Sequence, residues 1–143
     1  MPSVVAVERT IAAEPQRIFD VLADPALHPV IDGSGSVRAA HTGNPERLSL
    51  GARFGMDVKL GAPYEISNKV VEFDEGKQIG WRHFNGHVWR YILTPVDGGT
   101  RVREEWDPRP AKAPWVLSLM GFPRRNRKGM ISTLDRLAEH VAG

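Results

Sequence analysis

The sequence predicts an α+β fold: a curved antiparallel sheet of about seven strands wrapped around a long C-terminal helix, in the order β-α-α-β6-α. Three observations carry this. Residues 3–11 (SVVAVERTI) read as a strand and run straight into a helical stretch. Residues 36–107 alternate strand-like segments with short turn signals, which is the pattern of an antiparallel meander. After Pro123, Met130, Ile131, Leu134, Leu137, Ala138 and Val141 recur at helical spacing. A meander with one apolar face needs a cover, and the terminal helix has the matching stripe.

The first strand is rich in β-branched residues and places Val5, Val7, Arg9 and Ile11 on one face. In the following AAEPQRIFDVLADP, Pro15 fits an early helical position with Glu14 beside it to suit the helix dipole. Ile18, Phe19 and Leu22 form the apolar stripe, and Asp24-Pro25 ends this helix or starts a second short one. The loop HPVIDGSGSV (28–37) leads into the sheet.

Six strand candidates follow. Residues 36–41 are the weakest. Residues 52–60 alternate, with Phe54, Met56, Val58 and Leu60 on one face. Residues 64–73 are long and stop at Asp74-Glu75-Gly76. Residues 77–84 and 87–94 flank Asn85-Gly86, the strongest short hairpin signal. PVDGG (95–99) reads as a turn, and 100–107 as the last strand. PRPAKAP (108–114) then breaks the pattern. WVLSLMGF (115–122) reads as a short helix, and Pro123 opens the long one.

A chain of 143 residues fits one domain, 1–143, with one core. Its 41% apolar and 25% charged residues are ordinary for a soluble protein. No apolar run approaches the ~20 residues of a membrane span, so stable membrane insertion is not expected. MPSVVAVERT lacks the basic region and long apolar stretch of a secretion signal, and a cytoplasmic location is the expectation. The lack of cysteine excludes disulfides, thiolate zinc sites and a cysteine nucleophile. A net charge of +2 is too mild to argue for nucleic acid. The charge clusters once, in RRNRK (124–128).

The phrases ERTIAAEPQRIFDVLADP, NKVVEFDEGKQIGWR, WRYILTPVDGGTRV and TLDRLAEHV, in this element order, resemble the START-like superfamily, also called the helix-grip or Bet v 1-like fold. Within it the chain looks like the bacterial polyketide cyclase/dehydrase-type proteins. The resemblance implies a buried apolar cavity between sheet and terminal helix. It implies no particular reaction, because members include cyclases, lipid and hormone carriers and plant allergens.

Candidate sites follow from strand alternation. Ile79, Trp81 and His83 share a face, as do Trp89, Tyr91 and Leu93, and Val102, Glu104 and Trp106. Three tryptophans on adjacent strands suit a cavity wall, each offering apolar area and an N–H, although they would serve equally as plain core filling. His83 and Glu104 form a candidate acid/base pair. An inward histidine titrates near neutrality and an inward carboxylate has a raised pKa, so together they would move a proton on a ketone-bearing substrate. The competing expectation pairs Glu104 with Arg9 or exposes it. Tyr64, Asn68, Tyr91 and Met56 are candidate ligand contacts on the same argument.

In the quoted loop, Gly33 and Gly35 lack the third glycine of a dinucleotide site, and no G-K-[ST] follows. The loop reads as a tight turn around Asp32, with His28 and Asp32 as candidate ligand contacts near the cavity mouth. No metal spacing joins the five histidines and no G-x-S-x-G elbow is present, so neither metal nor cofactor is expected. The basic 124–128 segment is either a solvated face or a contact for an anionic ligand tail, a membrane surface or an acidic partner. Nucleic acid is disfavoured, since the strand tryptophans should be covered. Three functions remain in view: a binder of an apolar, aromatic polyketide-like or lipid-like small molecule; a polyketide cyclase/dehydrase-type enzyme in the same cavity; and a protein-interaction module acting through the basic segment. The oligomeric state is not legible.

Overall fold

A computed structural model describes residues 3–60 and 62–142, and only the backbone of residues 60 and 62–64. The chain runs β1 (Val5–Ile11), α1 (Pro15–Leu22), a single 3-10 turn (Pro25–Leu27), α2 (His28–Ile31), β2 (Val37–Ala40), β3 (Arg53–Leu60), β4 (Ala62–Asp74), β5 (Gln78–His83), β6 (Val88–Val96), β7 (Gly99–Asp107), α3 (Pro114–Leu119) and α4 (Phe122–Ala142). All seven strands pair antiparallel in the order β1-β7-β6-β5-β4-β3-β2. The first strand thus returns to lie beside the last.

Three details differ from the sequence reading. β6 keeps pairing through Pro95 and Val96, opposite Thr100 and Gly99, so the turn shrinks to Asp97 and Gly98. In β4 the register shifts between Val70 and Glu72. Asn68 and Val70 therefore face the core, while beyond the bulge Phe73 does so and Glu72 turns outward to Arg90. Third, Arg9 does not reach Glu104. Val7 lies opposite Glu104, whereas Arg9 opposes Val102 and pairs with Asp135 of α4.

α1 and the C-terminal half of α4 seal one end of the concave sheet. Phe19, Leu22, Leu134, Leu137 and Val141 are all buried. Phe19 meets Phe73 of the sheet edge to face, centroids 5.4 Å apart. On the outer face, Arg90 joins Glu72 (3.0 Å), Glu105 (3.0 Å) and Asp107 (3.2 Å) across β4, β6 and β7. One guanidinium thus ties three strands from behind and leaves the concave side free of that charge.

Candidate ligand-binding site

The loop from α2 to β2 decides how closely the sheet approaches α4. Asp32 organises it: its carboxylate accepts from the Ser34 and Val37 N–H groups (3.2 and 3.1 Å) and from the Ser34 hydroxyl (2.8 Å). The Gly33 N–H donates to Thr133 Oγ1 of α4 at 2.9 Å. A Cβ on Gly33 would lie 2.4 Å from the Thr133 nitrogen, so only glycine permits this approach. The G-x-G pattern is therefore a packing device against α4.

Against the N-terminal half of α4 a hollow of about 860 Å³ remains between helix and sheet. Phe54, Met56 and Val58 of β3, Trp81 of β5 and Trp106 of β7 supply apolar wall. His28, Asp32, Asn68, His83, Trp89, Tyr91 and Glu104 also line it. Tyr64, the remaining sequence candidate, lies outside the described side chains. The rim holds the exposed residues Phe84, Arg124, Arg125 and Lys128.

The wall is aromatic and ordered. His28 stacks on Trp81 (4.8 Å, 24°), and Phe54 meets both rings edge-on at 5.4 and 5.5 Å. His28 bonds the Leu22 carbonyl through Nε2 at 2.8 Å. A carbonyl only accepts, so Nε2 carries the proton and Nδ1 is left as an acceptor. Burial holds His28 below the usual histidine range, so it stays neutral.

Glu104 is buried, 2% exposed, and sits across the ladder from Tyr91. The Tyr91 hydroxyl donates to its carboxyl group. Burial pushes the Glu104 carboxyl up to about 8 against the pull of that hydrogen bond, and the negative Asp32 adds to the rise. At neutral pH Glu104 is therefore mostly a protonated acid. Tyr91 is held well above its usual value, chiefly by burial and then by Glu104.

His83 does not titrate near neutrality as the sequence reading expects. Burial pushes it down to about 4. Its Nδ1 accepts from the Asn85 N–H at 3.0 Å, which puts its proton on Nε2. Its ring stacks on His87 at 4.3 Å, and His87 is pushed down to about 3 by burial and then by His83. Among the described residues, no hydrogen bond joins His83 to Glu104, whose partner is Tyr91.

Three buried polar atoms among the described residues have no hydrogen-bond partner: Glu104 Oε1, Trp106 Nε1 and His87 Nδ1. All three belong to residues that line the hollow. Such atoms are uncommon in folded proteins, and each costs about 1–3 kcal/mol to leave unpaired. The sequence reading did not single out His87 as a contact, although the two-residue period from Trp89 carried the signal.

Outside the hollow, His41, Asp57 and Glu65 bring one ligand atom each within 4.8 Å of one another. His41 Nε2 bonds Asp57 at 2.9 Å, and both carboxylates are exposed. Spacing along the chain hides this group, because Asp57 and Glu65 meet only across the β3–β4 register.

A terminal helix gripped by a seven-stranded antiparallel sheet, with an open hollow between them, defines a helix-grip protein of the START-like, Bet v 1-like class. More narrowly, the chain belongs to the polyketide cyclase/dehydrase and lipid transport family, whose sequence profile matches residues 2–142. It is 33% identical over 141 residues to the Mycobacterium tuberculosis protein Rv0088, covering 92% of this chain and 61% of that protein's length. The chain thus spans less than two thirds of that relative. Two solved structures share the fold. The Chromobacterium violaceum protein CV1439 matches with a TM-score of 0.74 and 18% identity, over 100% of this chain and 99% of its own. The AHSA1-like protein from Aeromonas hydrophila matches with a TM-score of 0.71 and 16% identity, over 97% of this chain and 92% of its own.

Proposed function

We propose that the protein binds a hydrophobic small molecule, aromatic polyketide-like or lipid-like, in the hollow between sheet and α4. One observation carries the reading: an apolar hollow of about 860 Å³ whose wall contains unpaired buried polar atoms. That volume lies in the range of sites for drug-sized ligands, and a few fixed polar groups in an apolar wall are what orients such a ligand. The Trp106 N–H asks for an acceptor, and protonated Glu104 has an O–H to donate. A carbonyl or similar oxygen on the ligand meets both needs. Family membership supports the class of ligand.

The test is native mass spectrometry of purified protein together with titration of a neutral apolar dye. A co-purified small molecule or a saturable dye site is expected. Trp106→Phe keeps the apolar wall but removes the N–H, and is expected to weaken capture of a carbonyl-bearing ligand about tenfold. Ligand-free preparations with no saturable dye site would overturn the reading.

Glu104 favours a second reading, turnover in the same hollow. A carboxylic acid kept protonated beside a tyrosine hydroxyl is suited to protonating a ketone oxygen during cyclisation or dehydration. Under this reading Glu104→Gln and Tyr91→Phe each abolish conversion of a poly-ketone substrate, followed by absorbance of the aromatic product. Unchanged rates in both variants would remove the enzyme reading and leave ligand binding intact.

A further inference from the structure

α3 (Pro114–Leu119) is an apolar helix with no buried residue. Trp115 is 60% exposed and Leu119 79%, and Met120 directly after it 67%. Soluble surfaces rarely expose large apolar side chains in one contiguous patch without a use for them. Only Leu117 of α3 turns inward, where it lines the hollow. The helix is set off from its neighbours by Ala113 at φ +50° on one side and Gly121 at φ +80° on the other.

The next turn of chain is basic. Arg124, Arg125 and Lys128 are exposed on the rim, and no carboxylate pairs with them among the described residues. They lie near the N-terminus of α4, whose first turn holds no acidic residue. Like charge there opposes the helix dipole, so an external anion would relieve a standing repulsion.

We infer that the mouth of the hollow docks peripherally on an anionic lipid bilayer, with Trp115, Leu119 and Met120 seated in the interface and Arg124, Arg125 and Lys128 against headgroup phosphates. The charge pattern selects the occupant. An apolar tip containing a tryptophan, followed within a turn by cations that have no carboxylate partner (Arg125 lies over the Phe122 ring at 5.4 Å), matches the order of layers met on leaving a bilayer. No helix among the described residues is long and apolar enough to cross a membrane, so contact is at the surface. Docking goes beyond ligand binding: the seat is the outer face of α3, and ligand exchange with the bilayer would use the hollow beneath it.

The experiment is co-sedimentation of the full chain with phosphatidylcholine vesicles and with phosphatidylcholine–phosphatidylglycerol vesicles. Binding to the anionic vesicles, weakened by salt, is the expected result. Replacing Arg124, Arg125 and Lys128 with glutamine lowers partitioning on the order of a hundredfold. The double variant Trp115→Ser/Leu119→Ser alters no side chain of the hollow, and is expected to lose vesicle binding at least tenfold while still taking up the neutral dye. Equal binding to both vesicle types, no loss in the double variant, or displacement by inorganic phosphate beyond its ionic strength would overturn the proposal. Absence of vesicle binding with dye uptake intact overturns docking alone. Vesicle binding with no dye site overturns the ligand reading alone.

Discussion

Glu104→Gln is expected to raise the stability of the protein at alkaline pH by about 5 kcal/mol. The argument is a linkage between the folded and unfolded chains. Unfolded, Glu104 ionises near the ordinary value of 4.5; folded, its carboxyl is held to about 8, first by burial. Between these values the unfolded chain binds fewer protons than the folded one, so stability falls as pH rises. The full shift, at 1.36 kcal/mol per pH unit, is worth about 5 kcal/mol above pH 8 and about 3 kcal/mol at pH 7. Glutamine has the same shape, keeps an oxygen to accept from Tyr91 and cannot ionise. Urea denaturation from pH 5 to 9 should therefore give a variant-minus-natural stability difference that grows with pH. The lowered histidines His28, His83 and His87 raise stability between about pH 5 and 7 in both proteins and cancel in that difference. Parallel profiles would mean that Glu104 is solvated and that the hollow is not dry. If the gain appears, the natural chain carries an acid that weakens it under ordinary conditions. Such a cost is typical of a group held for binding or chemistry.

The fold was legible because two periodicities did separate work. Alternation along 79–83, 89–93 and 102–106 told which side chains share a face, and the 3.6-residue stripe in α4 told what covers it. The bulge in β4 was not legible: nothing in NKVVEF marks where two residues oppose one, and the phase change at Val71 shows only in the pairing. Protonation states escaped for a related reason. The strand pattern places His83 and Glu104 on one face, but the size of a pKa shift depends on how dry each position is and on its neighbours. Burial drives the two in opposite directions, because it penalises the cation of one and the anion of the other. The glycines of the 28–37 loop look like part of a phosphate cradle until Gly33 is seen against Thr133, a partner a hundred residues away. α3 reads in the sequence as any short apolar helix. Only its exposure distinguishes it from core.

The aromatic wall carries the second large expectation. Trp81→Ala is expected to cost about 4 kcal/mol in urea denaturation, at least twice the cost of Trp89→Ala. The two tryptophans face each other across the β5–β6 ladder and look equivalent in sequence. Their surroundings differ. Trp81 is 9% exposed and is held on three sides: stacked on His28, edge to face with Phe54 at 5.5 Å and tilted against Tyr91 at 5.7 Å. Removing a packed tryptophan forfeits its buried area and leaves a void that rings braced by neighbours fill poorly. Three elements would lose their common contact at once: α2 through His28, β3 through Phe54 and β6 through Tyr91. Trp89 is only half-buried, and its near ring neighbours are His87 and Trp106. Solvent already reaches it, so its loss gives up less area and little enclosed volume. Equal costs for the two variants would mean that Trp81 is not braced by α2, and would remove the support that keeps the wall of the hollow rigid. A large cost at Trp81 with dye uptake retained would place the ring in the frame of the site and leave the polar atoms of Glu104 and Trp106 to choose the ligand.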